Sequence, residues 1–291
     1  MNVRIIANPI AGGGKSRLAA EELRAYLTEH VDSVELRFTE RKGDAEAFAG
    51  ESGADVVVSV GGDGSANEVV NGMRGTSAAL AILPMGTANV VARELKLPKR
   101  AIALGELIVS GQYRWMDVGM HAGRRFLLGA GAGLDAAIVS RVMANRAKKS
   151  SLWRWVWPTI STCFTYGFPK MQVHVDGELV SDEGQYALVG NCRFSAGVFR
   201  ATPRAKIDDG LLDVCILRKL NWVKLMRHAL LAPTNRFLRH PDVLYFQGKR
   251  VEFLPNDSEI PLLQVDGDPA GWIPATFSIE PRAVRVVAQK M

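Results

Sequence analysis

The sequence predicts an α/β lobe with a parallel sheet, followed by a β-rich lobe built as an antiparallel sandwich. Up to about Tyr113, apolar strand-like runs alternate with helical segments, as in parallel sheets flanked by helices. Beyond it come short alternating runs bounded by Gly, Asp and Pro, a pattern typical of antiparallel sheets. The chain has 291 residues, of which 47% are apolar, and this is enough to bury a core in each lobe.

The first lobe is predicted from its hydrophobic periodicity. The predicted strands are VRIIANP, VELRFTE, DVVVSV and ALAILP, and the last two are apolar on both faces, as buried parallel strands are. The predicted helices are SRLAAEELRAYLTEH, GDAEAFAGESG, NEVVNGM, TANVVARELK and KRAIALGELIVSG. We assign residues 1–117 to this lobe, with the C-terminal segment 278–291 as a candidate last piece, and residues 118–277 to the second lobe.

The second lobe is predicted to begin with a strand, a glycine turn and a helix in FLLGAGAGLDAAIVSRVMANRAKK. A helical stretch with three tryptophans, SLWRWVWPTISTCFTYG, follows. The predicted strands are then MQVHVDGELV, GQYALVGNCRF, LLDVCILRKL, KRVEFLP, PLLQVDGDPAG and ATFSIEPRAVRVVAQ.

Composition and charge exclude several classes of protein. The net charge of +6 suits nucleic acid, anionic lipid or a phosphorylated substrate, but no nucleic-acid motif is present, so we expect no nucleic-acid partner. Three widely spaced cysteines indicate a reducing compartment, and five histidines without ligand spacing give no sign of zinc. Without an 18-residue apolar run or a secretory leader pattern, we expect a cytoplasmic protein.

A turn of three glycines follows the buried strand DVVVSV. Gly61, Gly62 and Gly64 can bring backbone N–H groups close to a phosphate, and a helix beginning near Ala66 adds its positive N-terminus. Asp63 would repel a bare phosphate, so we expect it to meet a divalent cation carried by a nucleotide or to orient neighbouring donors. The alternative is a tight strand–helix turn with a solvated aspartate.

Two other turns follow predicted strands in the same way. LPMGTANVVAR places Gly86, Thr87 and Asn89 at the start of a helix, where Thr87 could simply be a cap. NPIAGGGKS ends in GKS but is not a Walker A loop, because Pro9 stands where that motif has its first glycine. Turns on adjacent parallel strands face the same crevice, which favours a shared binding site.

Together these stretches resemble the diacylglycerol kinase catalytic family, which includes bacterial lipid kinases and the sphingosine and ceramide kinases. GGDG alone is shared with NAD kinases and phosphofructokinases, whereas the later motifs separate them. The matching stretches are NPIAGGGKS, TERKGDA, GGDGSANEVVNG, PMGTANVVAR, DVG, GAGAGLDA, DDGLLDV and VDGD. The resemblance implies an ATP-dependent kinase that transfers the γ-phosphate to a hydroxyl of diacylglycerol or a related lipid, with Mg²⁺ and an ATP site between the lobes.

The resemblance also implies the residues that contact the nucleotide. The glycine turns suggest most of them independently, whereas Thr39 comes from the resemblance alone. Ser65 replaces a common Thr of the family and keeps the hydroxyl, and Val90 replaces a common acid. The expected nucleotide-binding residues are Asn8, Thr39, Gly61, Gly62, Asp63, Gly64, Ser65, Asn67, Glu68, Gly86, Thr87 and Asn89.

DDGLLDV resembles the family's metal loop. The resemblance implies Asp209 as a ligand, backbone oxygens of Lys206 and Leu211 beside it, and Asp117 as an acid that supports the metal network. From the residues alone, Asp-Gly between apolar runs is also a hairpin signal. Asp117 could equally be a solvated aspartate at a strand end.

VDGD contains two candidates for the carboxylate that takes the proton from the attacking hydroxyl. The resemblance implies the second acid, Asp268, where many relatives have Glu. Because aspartate is one methylene shorter, Asp266 remains a candidate. The alternative is an Asp-Gly hairpin, which is our interpretation of the similar VDGE at 175–178.

The expected partners are a lipid substrate and a peripheral membrane surface at the inner face, and a homodimer stays open. The tryptophan stretch mixes aromatic and basic residues, which suits a bilayer interface, although a helix packed into the second lobe would explain it equally. Two alternative functions remain: an NAD kinase-like or other small-molecule kinase, and a catalytically inactive lipid- or nucleotide-binding regulator. The residues concerned lie in the overlapping segment RVMANRAKKSSLWRWVWP and are Arg141, Arg146, Lys148, Lys149, Trp153, Arg154, Trp155 and Trp157.

Overall fold

The chain forms two compact units in a computed structural model that describes residues 1–144, 161–162, 165–193, 202–231 and 234–289. The first unit comprises residues 1–118 and 280–291, and the second comprises residues 119–279. Most of the tryptophan stretch predicted to be helical, including all three tryptophans, lies outside the described residues, and its described residues 161, 162 and 165 are helical. The predicted fold class, an α/β lobe followed by a β-rich lobe, is confirmed. The functional division predicted between 117 and 118 stays a prediction.

The first unit is a parallel sheet with helices. Its strands lie in the order β15-β4-β3-β1-β2, where β15 is the strand Ala275–Val287 that begins in the second unit and ends in the first. Each of these pairs is parallel. All residues of β3 and β4 are buried, which explains why both read as continuous apolar runs. The elements are β1 Asn2–Ala7, α1 Lys15–Thr28, β2 Ser33–Phe38, α2 Asp44–Gly50, β3 Val56–Gly61, α3 Asp63–Gly72, β4 Ala79–Pro84, α4 Val90–Glu94, α5 Ala101–Val109 and β5 Tyr113–His121, with a 3-10 turn at Ala11–Gly14.

The second unit is an antiparallel assembly around an aromatic core. Its strand order is β14-β13-β7-β9-β8-β12-β15, and β10 joins β9 to β11. Phe126, Phe253 and Phe277 are fully buried at its centre. Its elements are β6 Arg124–Phe126, β7 Gly129–Ala132, α6 Leu134–Ala144, β8 Met171–Val175, β9 Glu178–Gly190, β10 Leu212–Arg218, α7 Trp222–Leu231, β11 Val243–Gly248, β12 Arg250–Pro255, β13 Leu262–Val265, β14 Asp268–Trp272 and β15 Ala275–Val287, with a 3-10 turn at Arg236–Arg239.

Two local predictions differ from the structure. The glycine run expected as a turn is the strand β7, and a Cβ on Gly129 would lie 2.4 Å from the Val189 oxygen, so glycine lets β7 approach β9. The helix expected from TANVVARELK is shortened to α4, because Asn89 has a left-handed backbone with φ of 48°. Among the described helices, none is long and apolar enough to cross a bilayer.

Candidate active site

A cleft of about 610 Å³ opens in the first unit, where the chain leaves β1, β2 and β3. Ligands of open parallel sheets bind at these carboxyl ends of the strands. Six of the residues expected to contact the nucleotide line this cleft: Asn8, Thr39, Gly62, Gly64, Ser65 and Glu68. Pro9, Ile10, Glu40, Arg41, Lys42 and Ala45 complete the lining.

Asn8 shapes one wall of the cleft. Its Oδ1 accepts the N–H of Ile10 at 3.2 Å, and its carbonyl accepts the N–H of Ala11 at 3.1 Å and the hydroxyl of Ser16. Its own N–H donates to the Val60 carbonyl of β3. These bonds hold the glycine loop after β1 against the end of β3.

The loop after β2 forms a second wall, where Glu40, Arg41 and Lys42 line the cleft. Asp44 accepts the N–H groups of Glu40 and Arg41 at 2.8 and 2.9 Å, and these bonds hold the pKa of Asp44 below its usual value. Glu68 of α3 accepts the N–H of Gly43 at 3.1 Å. This arrangement brings Arg41 and Lys42 to the cleft.

Arg41 and Lys42 are not among the residues predicted to contact the nucleotide. Both lie inside TERKGDA, directly after the predicted strand that ends near Thr39. Their position at the carboxyl end of a parallel strand was the available signal. Arg41 pairs with Asp44 at 3.2 Å, and Glu40 and Glu68 also line the cleft. Arg41 and Lys42 are the cations of this lining that can contact an anionic ligand such as a chain of phosphates.

Asp63 connects two of the glycine turns. Its Oδ1 accepts the N–H of Val91 at 3.3 Å, and the N–H groups of Val90 and Asn89 also bond to it. Burial raises the pKa of Asp63 and these backbone hydrogen bonds lower it, with burial the larger effect. Asp63 therefore caps α4, in agreement with the expectation that it orients neighbouring donors. It is not the solvated aspartate of the alternative, and its contact with a cation stays a prediction.

The turn after β4 packs behind the turn after β3. Asn89 accepts the Gly86 N–H at 2.8 Å and donates its amide to the Gly86 carbonyl at 2.7 Å. A Cβ on Gly86 would lie 2.6 Å from the Gly62 Cα, so the two backbones touch. The cleft lining does not include the remaining predicted nucleotide contacts, which are Gly61, Asp63, Asn67, Gly86, Thr87 and Asn89.

The two acids of VDGD have different surroundings in the second unit. Asp266 and Gly267 form the left-handed tip of the hairpin between β13 and β14, with φ of 50° and 82°. The Asp266 carboxylate accepts the N–H groups of Leu127 and Leu128 at 2.8 Å and of Gly129 at 3.1 Å. Asp266 thus anchors the segment before β7.

The VDGE segment also forms an Asp-Gly hairpin, as expected from its sequence, and its aspartate likewise accepts backbone N–H groups. Asp176 and Gly177 have φ of 50° and 91° between β8 and β9, and Asp176 accepts the N–H groups of Lys249 and Arg250. By contrast, Asp268 is exposed at the first position of β14. Of the two candidates for the proton acceptor, Asp268 is the better placed to meet an acceptor molecule, and its role stays a prediction.

The predicted metal loop is an exposed turn that leads into β10. Asp209 Oδ1 accepts the N–H of Leu211 at 3.1 Å, and Gly210 has a φ of 73°. It is a turn and not a hairpin, since β10 pairs with β9 and β11. Within the described ranges, no group of three His, Cys, Asp or Glu side chains could hold a metal ion. Mg²⁺ keeps several waters and needs only one or two carboxylates, so Asp209 and the turn carbonyls fit this ion.

Two other aspartates, one in each unit, are buried. Asp117 is 1% exposed and accepts the N–H of Arg282 at 2.6 Å within the first unit, so it is not the solvated strand end of the alternative. Asp213, in the second unit, accepts hydrogen bonds from Tyr245 and Gln247, while burial raises its pKa. A metal-binding role of Asp117 stays a prediction.

Comparisons with known proteins cover nearly the whole chain. Residues 2–121 match the model of the diacylglycerol kinase catalytic domain, and residues 129–288 match that of the YegS C-terminal NAD kinase beta sandwich-like domain. A diacylglycerol kinase from Staphylococcus saprophyticus is 30% identical, over 94% of this chain and 91% of the relative. One from Bacillus subtilis is 26% identical, over 99% and 96%.

A solved structure shows the same fold. The crystal structure of a diacylglycerol kinase from Bacillus anthracis matches with a TM-score of 0.77 at 21% identity, over 99% of this chain and 97% of that one. Fold, cleft and relatives together define a kinase, and the relatives imply ATP as its phosphate donor. More particularly, the chain belongs to the diacylglycerol kinase family.

Proposed function

We propose that this protein transfers the γ-phosphate of ATP to a hydroxyl group of diacylglycerol or a related lipid, with Mg²⁺, at the inner face of the membrane. The observation that carries the proposal is the cleft in the first unit. It collects six residues of the family's nucleotide motifs together with Arg41 and Lys42. The names of the curated relatives supply the lipid as acceptor.

The first unit supplies the groups that bind and orient the nucleotide. The N-terminus of α3 directs its backbone N–H groups and helix dipole toward the cleft at Gly64 and Ser65. Arg41 and Lys42 add charge to hold the phosphates. Asp63 acts indirectly, because it fixes the turn after β4 behind the turn that lines the cleft.

The second unit supplies the groups for the transfer itself. Asp268 accepts the proton of the lipid hydroxyl as that oxygen bonds to the γ-phosphorus and ADP leaves. Asp209 and the carbonyls of Lys206 and Leu211 are the residues that would hold Mg²⁺, which supplies counter-charge to the phosphates when bound.

The test is transfer of γ-labelled phosphate from ATP to a panel of lipids in mixed micelles, with NAD as a soluble acceptor. We expect label on one lipid, loss of label when EDTA removes Mg²⁺, and a fall in kcat of about 100-fold or more in Asp268→Asn. Asp182→Asn is the matched control, since Asp182 is also an exposed aspartate of the second unit. It should retain the activity of the unaltered protein.

The other outcomes separate the alternatives. Label on NAD and on no lipid would favour the NAD kinase-like function. ATP binding without label on any acceptor would favour the inactive regulator. Equal activity of Asp268→Asn and Asp182→Asn would remove Asp268 from the mechanism.

A further inference from the structure

Helix α7, Trp222–Leu231, turns apolar side chains outward. Val223, Met226 and Leu230 are 77%, 55% and 76% exposed. Their spacing of three and four residues places them in one stripe along the helix. A helix on the surface of a soluble domain normally buries such a stripe and exposes its polar face.

The opposite side of α7 holds the helix on the second unit. Leu225 and Leu231 pack against a buried cluster that includes Leu217 and Phe237. Lys224 also forms an ion pair with Asp242 near β11. The helix is therefore packed and oriented, and its outward stripe is a fixed feature of the surface.

Cationic side chains accompany the stripe. Arg227 is exposed on α7 itself, and Arg236 and Arg239 are exposed on the 3-10 turn that contacts α7. None of these three arginines forms an ion pair within the part of the chain that the structure describes. The charges are thus available to an anionic surface.

We propose that the α7 face, defined by Val223, Met226, Leu230 and Arg227, docks on an anionic lipid bilayer. Apolar side chains of an interfacial helix enter the boundary between headgroups and acyl chains, while arginines contact the anionic headgroups. A symmetric contact with a second copy would place each patch against itself and bring its arginines together, which favours the bilayer as the partner.

The inference deepens the proposed function, since a lipid acceptor lies in such a bilayer. It rests on different residues from those of the tryptophan stretch, whose tryptophans lie outside the described ranges. It also needs no turnover, so docking can be measured without ATP. Vesicle binding and phosphate transfer can therefore fail separately.

The test is co-sedimentation with vesicles of phosphatidylglycerol and phosphatidylcholine, compared with phosphatidylcholine alone. We expect binding to the anionic vesicles and roughly tenfold weaker partitioning for Leu230→Ser, from the loss of one buried leucine. Arg227→Glu should also weaken it and reduce its dependence on anionic lipid. Leu18→Ser is the matched control, because Leu18 is a 71% exposed leucine on α1, and it should bind as the unaltered protein does.

Activity measurements separate docking from catalysis. With lipid dispersed in detergent micelles, Leu230→Ser should turn over normally, whereas its activity on vesicles should fall together with its binding. Absence of vesicle binding by the unaltered protein, or equal binding by Leu230→Ser and Leu18→Ser, would overturn the proposal. So would a dimer in analytical ultracentrifugation that Leu230→Ser dissociates while vesicle binding persists. Vesicle binding that depends on α7 without turnover on any lipid would instead overturn only the proposed function.

Discussion

At the scale of single residues, the two acids of the hairpin between β13 and β14 should have different roles. We expect Asp266 to contribute to stability and Asp268 to catalysis. Asp266→Asn removes a carboxylate that accepts three backbone N–H groups. An unpaired buried N–H costs about 1–3 kcal/mol, so the melting temperature should fall by several degrees. Asp268→Asn should have the same melting temperature as the unaltered protein, because Asp268 is exposed. Calorimetry and kcat on both variants check this, and an equal loss of stability in both would contradict it.

A buried acid on α6 predicts a specific dependence of stability on pH. Burial raises the pKa of Asp135 from 3.8 to about 6, although the Gln264 amide donates to it at 2.9 Å. Between about pH 4 and 6 the unfolded chain loses this proton first, so the free energy of unfolding falls as pH rises, by roughly 3 kcal/mol at most. Above pH 6 the loss stays constant.

The comparison of Asp135→Asn with the unaltered protein isolates this contribution. Asparagine stays neutral and its carbonyl can still accept the Gln264 amide. We expect the variant to gain stability relative to the unaltered protein on going from pH 4.5 to pH 7.5, in urea unfolding. A constant difference between the two proteins across this range would refute the assignment. Gln264 also accepts the N–H of Gly267, so Asp135 is linked to the hairpin that carries Asp268.

The sequence predicts the candidate site well where its signals are local. A glycine turn directly after a buried strand placed Gly62, Gly64 and Ser65 at the cleft they line. Asp63 shows the limit, since its partners are backbone N–H groups of Asn89 to Val91, more than 25 residues farther along the chain. The sequence around Asp63 does not predict its hydrogen bonds to these N–H groups, because they depend on how β3 and β4 pair.

At the scale of elements, the contact between two turns predicts opposite effects of two glycine substitutions. Gly86→Ala would place a Cβ 2.6 Å from the Gly62 Cα, and overpacking of this kind costs about 1–3 kcal/mol. It should lower the melting temperature and weaken ATP binding, because Gly62 lines the cleft. Calorimetry and titration with an ATP analogue measure the two effects.

Gly64→Ala is the matched control for that prediction. A Cβ on Gly64 meets nothing within 4 Å, and Gly64 lies in α3, where alanine is preferred to glycine by up to about 1 kcal/mol. The variant should melt at the same temperature or higher. If Gly86→Ala melts like Gly64→Ala, the two turns do not constrain each other as the structure indicates.

The predictions of elements succeeded or failed for identifiable physical reasons. β3 and β4 were recognisable because burial on both faces demands continuous apolar residues. β7 was not, because its glycines serve a close approach to β9 that involves residues some 60 positions away. α4 was overestimated, since the left-handed Asn89 delays its start.

At the scale of the whole molecule, the last strand, β15, joins the sheet of the first unit after the chain has formed the second unit. β15 pairs with β12 through Ala275 to Ser278 in the second unit, and Val286 then pairs with Leu80 of β4 in the first. The local sequence pattern predicts a strand near the C-terminus, but it does not predict that this strand pairs with β12 and β4. The N-terminal segment should therefore be unable to fold without the C-terminal residues.

The buried residues near the C-terminus determine how much stability the first unit should lose without them. Val284, Val286 and Val287 are at most 3% exposed, and Arg282 donates to the buried Asp117. Burying each valine contributes about 1.5–3 kcal/mol, so their removal costs roughly as much as the 5–15 kcal/mol by which domains are stable. We expect a fragment of residues 1–121 to show no cooperative thermal transition by circular dichroism.

Joining residues 280–289 to that fragment should restore folding. The Arg282 N–H donates to the Asp117 carboxylate, so residues 117 and 282 are adjacent. A short Gly/Ser linker after residue 121 can therefore reach the start of the segment. The fused protein should melt cooperatively, and the same fusion with Val286→Asp should not, because Val286 is fully buried. A cooperative transition in the 1–121 fragment alone would show that the first unit does not depend on the returning strand. Binding of an ATP analogue by the fusion would in addition localise nucleotide binding to this unit, since the whole cleft lies within residues 8–68.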